Sequence, residues 1–158
     1  MDKEEYLTKL ERNLMAGSAR WVTGFNESFR DEVVGGIRFD MLVTGKTRVK
    51  GFFLSNIMSY FILPNWLVAC FVFSGDLGQH SVHSLLRVVS KYMDDKELNW
   101  CWLVIVKEGS FSSKVKKLVA NHRQRDIGLA LVDVSSQEII GSSSYLGKKL
   151  PQHLKCFR

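Results

Sequence analysis

The sequence predicts an α/β fold in which helices sandwich a mixed central sheet. Residues 66–73 (WLVACFVF), 100–106 (WCWLVIV) and 127–134 (IGLALVDV) are short, compact apolar runs. Such runs mark strands covered on both faces. The segments between them, residues 81–92 and 112–125, repeat apolar residues at helical spacing. Strand, helix, strand, helix, strand requires crossovers, so these core strands pair in parallel. Upstream, Ile37, Phe39, Met41 and Val43 alternate with Arg38, Asp40 and Leu42. That is hairpin patterning, and it adds antiparallel pairing at one side of the sheet.

The remaining elements follow in chain order. Residues 2–15 form a helix on Tyr6, Leu7, Leu10 and Leu14, and Ala16-Gly17-Ser18 ends it. Residues 19–36 carry no clear period, and Gly35-Gly36 mark a break. The hairpin strand from Ile37 turns at Thr44-Gly45-Lys46 and returns along Thr47–Leu54. Residues 55–63 form a short helix with Ser55, Asn56 and Ser59 on its polar side. Pro64-Asn65 then turns the chain into the strand at 66–73. In the helix at 81–92, Val82, Leu85, Leu86 and Val89 face the core. Val115, Leu118 and Val119 do so in the helix at 112–125. A last strand lies near Ile139-Ile140, and from Gly141 the chain is a basic tail rich in Ser, Gly and Lys.

Residues 51–75 carry no charge, which raises the question of a membrane span. The length suffices for one, and Lys46, Arg48 and Lys50 precede it as an anchor would require. The interior argues otherwise, because Ser55, Asn56, Ser59 and Asn65 interrupt it and Pro64-Asn65 is turn chemistry. A buried core accounts for the run better than a bilayer does. The N-terminus, MDKEEYLTKLER, has no apolar region of the secretory kind. At 158 residues the chain suits one domain. Cys70, Cys101 and Cys156 form no disulfide framework or metal clip, which points to a reducing, cytoplasmic setting.

The net charge is +6 and the pI about 9.3. The excess is local. Lys107, Lys114, Lys116, Lys117, Arg123 and Arg125 crowd one stretch, and Lys148, Lys149, Lys155 and Arg158 follow in the tail. Such asymmetry favours an anionic partner, nucleic acid or an acidic protein surface. On a helix, Lys114, Lys117, Asn121 and Arg125 fall near one face, a stripe suited to a phosphate backbone. Solvated helix faces look the same, and exposed aromatics for base stacking are missing from this stripe. In open α/β sheets, ligands collect beyond the carboxyl ends of the strands. Asp76, Glu108 and Asp133 sit at those ends and could share a cation, although capping of helix N-termini and their dipoles explains each more cheaply. Ser110, Ser112 and Ser113 precede a helix without a phosphate-loop pattern, so they read as caps. His80 and His83 lack a third ligand, and no GxSxG elbow occurs.

From the hairpin onward, the order of elements resembles the restriction-endonuclease-like PD-(D/E)XK superfamily. Residues 2–15 and 37–134 can be laid on its pattern of helix, antiparallel strands, helix, strand, helix, strand. The resemblance implies a Mg²⁺ site with an Asp on one strand and an acid-x-Lys on the next. Asp40 in IRFDMLV resembles the first acid, and Glu32 resembles an upstream one. The acid-x-Lys is absent, because strand 66–73 is wholly apolar and TRVKGFF offers Lys50 without an acid two residues before it. Without that acid a Mg²⁺ ion loses a ligand and the attacking water its organiser.

The leading expectation is therefore a non-catalytic, nucleic-acid-associated domain without a cofactor. Its contacts would be Lys114, Lys117, Asn121, Arg125, Lys148 and Lys149. The enzyme alternative is a Mg²⁺-dependent nuclease using Asp40, Glu32 and Lys50, with Lys46 a weaker choice than Lys50. Asp40 and Asp76 are its metal candidates. A further alternative is a protein-interaction or self-associating module built on the apolar surface at 52–63, where Phe53 and Ile57 are the residues to substitute.

Overall fold

The fold is seen in a computed structural model, which describes residues 1–17, 23–47 and 66–158. The chain runs α1 (Lys3–Met15), β1 (Gly24–Val34), β2 (Ile37–Thr47), β3 (Trp66–Phe73), α2 (Val82–Lys96) and β4 (Trp100–Lys107). It continues with α3 (Ser113–Ala120), β5 (Ile127–Asp133), β6 (Glu138–Gly141), α4 (Tyr145–Lys149) and α5 (Pro151–Leu154). The strands form one 6-stranded sheet in the order β1-β2-β3-β4-β5-β6. Neighbours β1/β2, β2/β3 and β5/β6 are antiparallel, whereas β3/β4 and β4/β5 are parallel. The mixed α/β sheet expected from the sequence is thus the one observed.

Layering explains the apolar runs. Strands β4 and β5 are buried almost throughout, and β3 is buried from Val68 onward. One face carries Val68, Cys70, Trp102, Val104 and Val132 against Tyr6, Leu10 and Leu14 of α1 and Leu150 and Leu154 near the C-terminus. The other carries Phe71, Phe73, Leu103, Ile105 and Leu129 against Val82, Leu85 and Val89 of α2 and Val119 of α3. Alternate residues of one strand therefore serve opposite cores, and a polar residue on either face would lose its water. Each long helix begins on a side-chain cap. Asp2, Ser81 and Ser112 accept from the N–H groups of Glu5, Ser84 and Val115.

The hairpin departs from the expected one. Its turn is Gly35-Gly36, with φ of 57° and 78°, joining Val34 to Ile37. Two consecutive positive φ values suit a tight two-residue hairpin, and glycine adopts them without strain. Thr44-Gly45-Lys46 is not a turn but the interior of β2. Gly45 lies so close to β1 that a Cβ there would collide with the Gly24 carbonyl oxygen. The hairpin partner is the preceding β1; apart from Thr47, the return strand expected along 47–54 lies outside the described residues, as does the short helix expected at 55–63. Strand β1 gave no sequence signal because it is an edge strand with mostly exposed residues. Glu11 of α1 ties it down, accepting from Ser28 Oγ at 2.5 Å and Arg30 Nε at 2.9 Å.

Alternation along β2 also slips. Phe39 and Leu42 pack in one core, Met41 and Val43 in the other. Strict alternation would put Phe39 and Met41 on one face, so the strand changes phase at Asp40. In β1, Asp31 has a φ of 55°, between the Arg30–Met41 and Glu32–Phe39 pairs. The basic tail from Gly141 carries secondary structure that the sequence did not signal. It folds into α4 and α5, burying Leu146, Leu150, Leu154 and Cys156 on the α1 side of the sheet.

Candidate nucleic-acid interface

The carboxyl ends of the parallel strands bring acids into the expected region, and each acid is engaged by backbone. Asp76 accepts from the Gly78 N–H at 2.7 Å, closing its own turn. Glu108 accepts from the Lys3 N–H at 2.7 Å, at the first turn of α1, where a carboxylate also complements the helix dipole. Asp133, only 2% exposed, accepts from the N–H groups of Gly109 (3.0 Å), Ser135 (2.9 Å) and Ser136 (3.3 Å) and from Ser136 Oγ (2.7 Å). Burial pushes its carboxyl up, and these donors more than offset it, so the group lies below the ordinary carboxylate range.

Asp40 is held in the same way. Its carboxylate accepts from the Ser74 N–H at 2.6 Å through one oxygen and from Ser74 Oγ at 2.7 Å through the other. Those bonds clamp β2 to the end of β3 at the residue where β2 changes phase. Glu32 is exposed on β1 opposite Phe39. Lys46 lies six positions beyond Asp40 on the same strand, about 20 Å at about 3.3 Å per residue. Lys50 lies outside the described residues, as do Phe53 and Ile57. Among the described residues, no group of three or more His, Cys, Asp or Glu side chains could hold a metal ion. His80 sits edge-on to Phe73, and His83 is exposed on α2. Burial pushes the Cys70 thiol up to about 12, far from the thiolate a nucleophile needs.

The opposite end of the parallel strands gathers cations. Helix α3 stops at Ala120 with Asn121 as its C-cap, so Lys114 and Lys117 are on the helix and Arg125 is in the connection beyond it. The four-residue stripe expected on one helical face is therefore broken. Lys114 lies at the first turn, about 10 Å along the axis from Asn121. What replaces the stripe is tertiary. The Ser143 hydroxyl donates to the Ala120 carbonyl, latching the segment after β6 to the end of α3. A Cβ on Gly128 would meet the Gly147 nitrogen and the Leu146 carbonyl carbon at 2.9 Å, so α4 rests directly on the start of β5. Asn121, Arg123 and Arg125 are brought to the same end of the sheet as Lys148 and Lys149, and all are exposed.

Among the described residues, Lys117, Arg123, Arg125, Lys148 and Lys149 form no ion pair, whereas Lys116 is taken by Glu138 at 2.6 Å. Asp126 is the nearby exposed acid in sequence. Half-buried His122 adds no charge at neutral pH, because burial holds its imidazole below the ordinary histidine range. Tyr145, 73% exposed, opens the helix that carries Lys148 and Lys149, with Lys149 Nζ 5.7 Å from its ring centroid. Sequence reasoning missed this aromatic. Its signal was the i, i+4 spacing of Tyr145 and Lys149 behind Ser144, whose side chain caps α4 by accepting from Gly147. Compared with known protein families, with curated proteins and with solved structures, the chain matches none.

Proposed function

We propose that this chain binds nucleic acid through the basic edge formed by the end of α3, the connection to β5 and α4, and that it does not cleave what it binds. The observation that carries the reading is the set of exposed cations Lys117, Arg123, Arg125, Lys148 and Lys149 at one end of the sheet, which form no ion pair among the described residues. Unpaired lysines and arginines attract a polyanion and gain by releasing its counterions. Lys114 extends the same surface along α3. The non-catalytic part is supported by Asp40, whose two carboxylate oxygens each accept from Ser74, and by the described residues, which bring no group of three or more His, Cys, Asp or Glu together for a metal ion.

A restriction-endonuclease-like fold without a working metal site belongs to this proposal. The N-terminal helix, three antiparallel strands and subsequent parallel crossover support it. A reducing cytoplasmic setting fits the free thiols of Cys70, Cys101 and Cys156. The test is a salt titration of oligonucleotide binding. Affinity should fall with a log–log slope of about −3 to −5 if most of these cations meet phosphates. Undetectable binding of both DNA and RNA at low salt would sink the reading.

A further inference from the structure

The charged edge also carries a large exposed ring. Single exposed apolar residues are common and decide nothing alone, but Tyr145 differs in its setting. It opens α4, whose following residues Leu146 and Leu150 are 7% and 0% exposed. The Ser143–Ala120 latch and the close approach of Gly147 to Gly128 hold that helix on the sheet. The ring is thus displayed from a rigid support. At 73% exposure it cannot be covered on both faces, and Lys149 lies over one of them.

We infer that this edge takes single-stranded nucleic acid, with an unpaired base stacking on the open face of Tyr145 and the adjoining phosphates held by Lys148, Lys149 and Arg125. The inference rests on the nucleic-acid reading above and adds the kind of strand. A cationic surface alone does not distinguish strands, because duplex and single strand both present phosphates. An aromatic ring does, because a base inside a duplex already has both faces stacked. A free base is open to a protein ring, and such stacking tolerates any sequence.

The test uses the full chain and a fluorescent oligothymidylate of about 15 nucleotides, long enough for one such site, beside a duplex of equal length. Tyr145→Ala should weaken single-strand binding by roughly 5- to 150-fold, Tyr145→Phe should restore it, and duplex binding should not change. If Tyr145→Ala leaves single-strand affinity intact while Arg125→Glu with Lys148→Glu weakens binding about 100-fold, the stacking inference falls and the nucleic-acid reading stands. If the unaltered chain binds neither probe at low salt, both fall. Because Tyr145 is exposed, Tyr145→Ala should keep the native melting temperature, so lost binding is not lost folding.

Discussion

The two ends of the parallel strands treat charge in opposite ways. At the carboxyl end, Asp40, Asp76, Glu108 and Asp133 are bound to nearby N–H and hydroxyl groups. At the other end, Lys117, Arg123, Arg125, Lys148 and Lys149 have no ionic partner among the described residues. Ligands of open α/β sheets collect at the carboxyl end, so position alone would place the function with the acids. Hydrogen bonding gives those acids a structural role, and the proposed interface lies at the other end. Asp40 and Asp133, which accept two and four such bonds, act as structural clamps, and leaving their donors unpaired would cost about 1–3 kcal/mol each.

The largest expected effect breaks the cationic end. Arg125→Glu with Lys148→Glu should weaken oligonucleotide binding about 100-fold near 0.1 M salt and reduce the salt slope by about 2, since each phosphate contact is worth about tenfold there. Fluorescence anisotropy across a salt series would read both changes. Unchanged affinity would remove these residues from the interface. Next comes the seat of α4. Gly128→Ala places a methyl group against the Leu146–Gly147 backbone and should lower unfolding stability by about 1–3 kcal/mol in urea. A fully stable variant would show that α4 has room to move.

At the carboxyl end, Asp133→Asn keeps an acceptor oxygen but loses the charge, and should cost about 1–2 kcal/mol at neutral pH. The pH profile sharpens this. The folded carboxyl lies below its ordinary range, so its stabilisation is complete above about pH 4 and fades as pH falls through the lowered folded value. The Asn variant should lack that part of the acid transition, which denaturant titrations at several pH values would measure. The smallest effect belongs to His122. Its folded form holds the proton less tightly than the unfolded chain, so stability should decline as pH drops below about 6.5. The decline should disappear in His122→Gln; a slope unaltered by that substitution would mean another group titrates.

The parts of the fold that could be read in advance share one property. WLVACFVF, WCWLVIV and IGLALVDV sit between two apolar layers, so burial leaves no room for polar residues and the pattern is unambiguous. Tyr6, Leu7, Leu10 and Leu14 mark one face of α1 for the same reason. Strand β1 escaped because an edge strand has no such demand, and Gly45 was misread because a glycine needed for close strand approach looks like a turn glycine. The short helices α4 and α5 were hidden in a segment whose Ser, Gly and Lys content outweighs its few buried leucines.

The candidate interface divides along the same line. Chain composition alone revealed the excess of Lys and Arg in the stretch up to Arg125 and again after Gly141, because charge counts need no coordinates. It also placed the acids at strand ends, because the strand boundaries were clear. Only the folded chain brought the two basic stretches to one end of the sheet, through the Ser143–Ala120 latch and the packing of α4 on Gly128, and set Tyr145 beside Lys149. Only it showed that Asp40 is held by Ser74, 34 residues away. Local burial writes itself into residue pattern, whereas contacts between residues distant in sequence leave no period to read.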